Sequence, residues 1–272
     1  MLRWRFVTAL ALLPLVLGAV FLLPTAAFAG VMAAVVALAG WEWSRLIGIR
    51  GRNGRAAYTL VLVGVALASA VFLPYAPASA LVIALGALVW VILGLWLVSF
   101  ETGRSSDAPV RGGYGMLLGV LLLVPGWFAV CWLHGRPDGG PWLVMTALVL
   151  TWAADAGAYF LGRWLGRRRL APRISPGKTR EGAAGGLAAA LVVGGLMAML
   201  FPVQLPSGPW LVVLVVMTVV ASVVGDLFES MIKRRCGVKD SGTLLPGHGG
   251  ILDRVDSLTA TMPVFAAGLL WL

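Results

Sequence analysis

The sequence predicts an all-α, polytopic integral membrane protein with about nine transmembrane helices and a cytoplasmic N-terminus. Three observations predict this fold: 60% of the 272 residues are hydrophobic, only 12% are charged, and the apolar residues form long continuous runs. Soluble domains are roughly 45–50% apolar and about 25% charged. The excess of apolar residues excludes a soluble enzyme, and the continuous runs lack the alternation of membrane β-barrel strands.

The apolar runs divide into nine predicted spans, each near the roughly 20 residues that a helix needs to cross a bilayer. The spans cover residues 6–23, 26–43, 57–73, 79–99, 114–134, 142–161, 183–202, 209–227 and 257–272. Prolines between spans interrupt helices at little cost; they are Pro24, Pro74, Pro77, Pro202 and Pro206. The first span resembles a signal peptide, but its 18 residues exceed the usual apolar region and favour a retained helix.

Positive charge is divided unequally between the two sides of the predicted bundle. All but one of the 21 Lys and Arg residues fall on one side, and only Arg136 falls on the other. Because cytoplasmic loops of membrane proteins carry the excess of Lys and Arg, the N-terminus and the long loops 162–182 and 228–256 are predicted to be cytoplasmic. This excess in cytoplasmic loops accounts for the net charge of +10, so no nucleic-acid partner is expected.

The chain changes character near residue 141. Residues 1–140 are interpreted as membrane helices that form a lipid-facing scaffold, and residues 141–272 as a catalytic membrane domain that holds both long loops and most acidic residues. Four residues are given no chemical role: Glu42, Cys131, His134 and Cys236. Glu42, which stands between two tryptophans, is interpreted as an ordinary acid at the membrane interface.

Acidic side chains within or at the end of predicted spans are the first candidates for chemistry. Asp155 lies inside the sixth span, where a carboxylate costs about 2.5–3.5 kcal/mol and is expected to face a polar cavity. Tyr159 and Arg163 follow it on the same helix face. A second set of polar residues lies on one helix face at the end of the eighth span: Asp226, Glu229, Ser230 and Lys233. This set could bind a metal and a phosphate together, or it could be a solvated helix end.

The densest polar pattern runs from Lys239 to Asp256. Four glycines and a proline within nine residues allow the backbone to approach a ligand closely, and consecutive N–H groups of such loops bind anions. Asp253 and Asp256 follow, and Mg²⁺ prefers carboxylates together with phosphate oxygens. Lys239 and Arg254 can neutralise phosphate charge. The pattern therefore indicates a phosphate and metal site, with a mobile cytoplasmic loop as the plain alternative.

The other long loop contains the segment Ser175-Pro176-Gly177-Lys178-Thr179. It ends like a P-loop, but Pro172 stands where the first glycine belongs and no strand is predicted before it, which excludes that motif. The Lys/Thr pair can still hold phosphate or an anionic headgroup, or it can reflect positive-inside charge alone. Small residues at 182–186 have the spacing of closely packed membrane helices.

The stretch from Ser230 to Asp256 resembles the signature of the phosphatidate cytidylyltransferase, or CDP-diacylglycerol synthase, family. The matching positions are Ser230, Lys233, Arg234, Lys239, Asp240, Gly242, Leu245, Pro246, His248, Gly249, Gly250, Asp253, Arg254, Val255 and Asp256. Residues 155–159 and 175–182 are similar to two further family segments, the second with departures at Gly177 and Arg180. Residues 1–140 match only as a string of spans.

The resemblance implies synthesis of CDP-diacylglycerol and diphosphate from CTP and phosphatidate with Mg²⁺, at a dinuclear metal site. It also implies a homodimer in a bacterial inner membrane, with the active site facing the cytoplasm. The implied catalytic residues are Asp226, Asp253, Lys239, Asp240, His248 and Arg254. The implied substrate-binding residues are Ser175, Lys178, Thr179, Ser230, Lys233, Arg234, Gly249 and Gly250. The implied metal ligands are Asp226, Asp253, Asp155 and Asp256.

Two other functions stay open. A lipid or polyprenol kinase that uses CTP would transfer the γ-phosphoryl group and release CDP, so the products distinguish it. A transporter of an anionic substrate would also place acids within the membrane, but it predicts symmetric broken helices, and the sequence shows no clear internal repeat.

Overall fold

The structure, a computed structural model, describes residues 2–242 and 249–271, with side chains from residue 12 onward. Within these residues the chain forms nine α-helices, and a short 3₁₀ turn (Ala70–Phe72) continues α3. The helices are α1 (Leu2–Leu22), α2 (Thr25–Leu46), α3 (Arg52–Ser69), α4 (Ala76–Glu101), α5 (Gly112–His134), α6 (Gly140–Leu165), α7 (Arg180–Leu200), α8 (Pro209–Arg235) and α9 (Leu252–Trp271).

Each predicted span coincides with one of these helices, and the prediction of a mainly helical membrane protein is confirmed. Seven of the described helices, α2 to α8, are long and apolar enough to cross a bilayer. Large apolar side chains such as those of Leu60, Leu81 and Leu95 point outward and are more than half exposed. Contact of such an apolar exterior with lipid is favourable, whereas its contact with water is unfavourable.

The segment 162–182, which the sequence predicts as a loop, contains a short two-stranded hairpin within an otherwise helical fold. Strands β1 (Arg169–Ala171) and β2 (Ser175–Thr179) pair as an antiparallel hairpin, with Arg169 opposite Thr179. These strands are too short to produce a readable alternation of polar and apolar residues. Helix α7 follows β2 directly, because the Thr179 hydroxyl accepts the N–H of Gly182 at 3.1 Å and caps the helix.

Helices α6 and α7 pack in close contact through small residues, as the spacing at 182–186 predicts. A Cβ on Gly186 would lie 2.5 Å from the carbonyl oxygen of Ala154, and one on Gly157 would lie 2.6 Å from that of Gly185. Side chains larger than hydrogen would separate the helices. This packing holds the hairpin and the start of α7 beside the face of α6 that carries Asp155.

Helix α8 packs against α9 in the same way. A Cβ on Gly225 would lie 2.7 Å from the carbonyl oxygen of Asp256, so the two backbones approach closely at this level. Helices α2, α4 and α5 also pack on α9, and the core around them contains fully buried Phe128, Phe228 and Phe265. The start of α9, which carries the last acidic residues of the chain, is therefore surrounded by helices from both halves of the sequence.

Candidate active site

A cavity of about 430 Å³ lies between α6, β2, α7 and α8. Asp155, Tyr159 and Arg163 line it from α6, and Asp226 lines it from α8. Lys178 enters from β2, and its Nζ donates to Oδ2 of Asp226. The structure thus places Asp155 at a cavity, as expected, and an ion pair joins the hairpin to α8 there.

The Lys178–Asp226 pair is accessible from the cavity, since the two side chains are 32% and 30% exposed. Burial has the largest effect on the Lys178 ammonium and lowers its pKa, whereas the nearby carboxylates of Asp155 and Asp256 act in the opposite direction. The Lys178 ammonium is therefore paired with Asp226 and lies near two further carboxyl groups.

A second, more deeply buried cluster lies where α8 ends and α9 begins. Lys233 Nζ donates to Oε2 of Glu229 at 2.6 Å and to Oδ1 of Asp253 at 2.6 Å. Oε1 of Glu229 is buried and has no hydrogen-bond partner among the described groups. Asp256 lies beside Glu229 at the wall of a small void. The cluster therefore brings three carboxyl groups around one ammonium group.

The carboxylate of Asp253 also holds both described ends of the glycine-rich loop. Its Oδ2 accepts the N–H of Ser241 at 3.1 Å and the N–H of Gly250 at 2.8 Å. Gly249 has φ +78, and a Cβ there would lie 2.6 Å from Oδ2 of Asp253, so only glycine fits the turn. In this structure the Gly250 N–H is used to hold Asp253.

The remaining predicted site residues lie around these two clusters. Ser230 is half-buried on α8, Ser175 begins β2, and Thr179 is buried as the cap of α7. Four charged residues are exposed near the end of α8 and the start of α9: Arg234, Lys239, Asp240 and Arg254. His248 lies outside the described residues.

The acidic residues are arranged as partners of lysines and N–H groups. Within residues 2–242 and 249–271, no three acidic, histidine or cysteine side chains converge as a set of metal ligands. The donor set nevertheless suits a hard cation, because it is made of carboxylate oxygens, including the unpartnered Oε1 of Glu229.

Sequence reasoning gave Glu42 no chemical role, whereas the structure buries it among polar partners. The side chain is only 6% exposed, and it accepts hydrogen bonds from the hydroxyl of Ser241 and the N–H groups of Ile251 and Leu252. The signal was available: Glu42 is an acid inside a predicted span, which is the criterion that selected Asp155.

Membrane-length helices and a gathering of carboxylates and lysines inside the helix bundle define an integral membrane protein with a buried polar site. The model of the cytidylyltransferase family matches residues 3–272, and the chain belongs to that family.

Two curated relatives align with nearly the whole chain, and a third aligns with a part of it. It is 46% identical over 272 residues to phosphatidate cytidylyltransferase of Pseudomonas aeruginosa, covering all of this chain and 97% of that protein. It is 36% identical to the Haemophilus influenzae protein of the same name over 98% of each chain. A 120-residue segment is 47% identical to the Bacillus subtilis phosphatidate cytidylyltransferase, covering 44% of each.

Proposed function

We propose that the protein is a nucleotidyltransferase that converts CTP and phosphatidate to CDP-diacylglycerol and diphosphate, in phospholipid biosynthesis. The observation that carries this function is the 46% identity to a phosphatidate cytidylyltransferase over the whole chain. The lysine–carboxylate pair at the cavity and the more deeply buried lysine–carboxylate cluster provide the residue types that the reaction needs.

The reaction forms a bond between a phosphate oxygen of phosphatidate and the α-phosphorus of CTP, and it breaks the bond from that phosphorus to diphosphate. Both reactants are anions, so catalysis depends on alignment and charge neutralisation. Lys178 and Lys233 would contact phosphate oxygens, and the exposed Lys239 and Arg254 would contact the triphosphate. The attacking oxygen is already deprotonated in the phosphate dianion, so no general base is required. His248 is proposed to bind or protonate the leaving diphosphate.

Mg²⁺ is the proposed cofactor, at a dinuclear site. Asp226 and Asp253 are the proposed ligands, with Asp155 and Asp256 beside them. The three carboxyl groups around the single ammonium of Lys233, with Oε1 of Glu229 free of partners among the described groups, support a cation here. Bound Mg²⁺ supplies neutralisation of phosphate charge.

We place the active site on the cytoplasmic side of a bacterial inner membrane, with nine spans and a cytoplasmic N-terminus. The distribution of Lys and Arg supports this orientation, since only Arg136 falls on the opposite side. A cytoplasmic site also has access to CTP. The homodimer and the absence of a nucleic-acid partner are proposed from the resemblance and from the membrane explanation of the charge.

The test uses purified protein, phosphatidate in mixed micelles and CTP labelled in either the α- or the γ-phosphate. The proposed function predicts that only the α-label enters the lipid phase and that diphosphate is released. Transfer of the γ-label to lipid with formation of CDP would identify a kinase instead. Reactions without phosphatidate are the control, and an absence of label in lipid from both nucleotides would contradict both enzymes.

A further inference from the structure

Glu42 is a buried carboxylate with three partners that are far away in the sequence. It lies near the end of α2, where its Oε1 accepts the N–H of Ile251 at 3.1 Å. Its Oε2 accepts the N–H of Leu252 at 2.8 Å and the hydroxyl of Ser241 at 3.2 Å. These partners flank the glycine-rich loop on both sides, so one carboxylate ties its two described ends together.

The surroundings of Glu42 are shaped to hold it in one position. The next residue, Trp43, is 1% exposed and donates from Nε1 to the carbonyl oxygen of Gly115 at 2.9 Å, which fixes α2 against α5. On the other side, a Cβ on Gly242 or on Gly250 would overlap the Glu42 carboxylate. Glycine at these two positions therefore allows the described ends of the loop to approach the Glu42 carboxylate closely.

Glu42 and Asp253 hold the same loop residue from two directions. Ser241 donates its hydroxyl to Glu42 and its N–H to Asp253. Leu252, whose N–H is bound by Glu42, is the first residue of α9, and Asp253 follows it. The unpaired N–H groups at a helix start are strong donors to a carboxylate. The position of Asp253, and through it of Lys233, therefore depends on Glu42.

We propose that Glu42 is a positioning residue of the active site, which sets the orientation of Asp253 by clamping Ser241 and the start of α9. This inference rests on the proposed function, because its readout is the rate of cytidylyl transfer. We call the hydrogen bonds of Glu42 to Ser241, Ile251 and Leu252 the clamp. Because Glu42 lies outside the cavity that contains Lys178, loss of the clamp should change the position of Asp253 and leave binding of the lipid phosphate at Lys178 unchanged.

The main test compares Glu42→Gln with the unaltered protein in detergent. The amide retains the size of the side chain but replaces one acceptor with a donor that faces other donors. Because the variant loses the charge from these hydrogen bonds, we expect kcat per folded molecule to fall about tenfold to 100-fold. The KM for phosphatidate should stay within about twofold. A merely structural role would lower the midpoint of thermal unfolding and leave kcat of the folded fraction unchanged, and that outcome would overturn the proposal.

Ser241→Ala is the second variant, and it keeps the proposal testable if Glu42→Gln does not fold. It removes one hydrogen bond of the clamp and should lower kcat by about fivefold to tenfold with the KM for phosphatidate again unchanged. In the double variant the two losses should not multiply, because both act through Asp253. A wild-type kcat for Ser241→Ala, or fully multiplicative losses, would contradict the clamp.

Ser44→Ala is the matched control. Ser44 is fully buried on the same helix, where its hydroxyl donates to the carbonyl oxygen of Trp41 and accepts from Nε of Arg55; none of the described loop residues bonds to it. Its kcat should equal that of the unaltered protein. If the unaltered protein itself forms no CDP-diacylglycerol, the proposed function fails. If it is active and Glu42→Gln is equally active, only the clamp fails.

Discussion

The ammonium of Lys233 lies 2.6 Å from Oδ1 of Asp253, although the two residues belong to different helices and are 20 positions apart in the chain. The same ammonium donates to Glu229 one helical turn earlier on α8. Lys233 is therefore the group that joins the end of α8 to the start of α9. A buried ion pair adds little net stability, but removal of one member leaves a buried charge without a partner.

We expect Lys233→Met to destabilise the protein by about 3–5 kcal/mol, because it leaves Glu229 and Asp253 without their shared cation. Thermal unfolding in detergent, followed by circular dichroism, measures the change. Lys239→Met is the control, since Lys239 is exposed, and its unfolding midpoint should not move. An unchanged midpoint for Lys233→Met would show that the carboxylates are neutralised by another group.

Asp226→Asn should remove turnover while the protein stays folded. The amide keeps the shape of the side chain, but it loses the charge that pairs with Lys178 and that a hard cation requires. Turnover at increasing Mg²⁺ and thermal unfolding are measured together. Asp138→Asn is the control, because Asp138 is exposed and pairs with Arg136 between α5 and α6. Near-normal rates of Asp226→Asn at saturating Mg²⁺ would contradict the assignment of Asp226 as a ligand.

The hairpin that carries Lys178 is held to the first half of the chain by Arg173. Its guanidinium donates to the carbonyl oxygen of Phe100 at 2.6 Å and to Asp107 at 3.0 Å, and its N–H donates to Glu101 at 3.0 Å. Because exposed charged contacts contribute up to about 1 kcal/mol each, Arg173→Ala should accelerate tryptic cleavage at 167–169 by about tenfold. Arg136→Ala, at a different loop, should cleave at the wild-type rate. Equal rates for the two variants would show that the hairpin is held by its own pairing.

Orientation in the membrane is tested with a reporter that is active only in the periplasm. Fused after Gly242, the reporter should be inactive, since the segment 228–256 is proposed to face the cytoplasm with almost all of the Lys and Arg residues. A fusion after Asp138, on the side that holds only Arg136, should be active. The opposite pattern would overturn the orientation and the access of the site to cytosolic CTP.

Local features of the sequence predict most of the fold and only part of the site. The helices follow from continuous apolar runs, and the close contact of α6 with α7 follows from small residues at 182–186. The hairpin was missed because strands of three and five residues carry no readable period. The position of Glu42 inside a predicted span could have marked it as a candidate, but its partners lie 199 to 210 positions away, and no local pattern reports those contacts.

Two lysines are expected to contact the phosphates of the two substrates separately. Lys178 lines the cavity between α6, α7 and α8, in the arginine-rich segment that directly precedes α7. Lys239 is exposed beyond the end of α8, beside the glycine-rich loop. We therefore expect Lys178 to contact the phosphate of phosphatidate and Lys239 to contact the phosphates of CTP. Charge-assisted contacts to phosphate contribute about 1.5–3 kcal/mol, so loss of one should change a binding constant by roughly 10–150-fold.

Lys178→Met should raise the KM for phosphatidate more than the KM for CTP, and Lys239→Met should do the reverse. Both constants are measured for each variant in mixed micelles, with the second substrate at saturation. Lys178→Arg and Lys239→Arg are the matched controls, because they retain the charge and should shift the constants less than the methionine variants do. If both methionine variants shift the same constant, the division between the two lysines is wrong, and a single shared phosphate site replaces it.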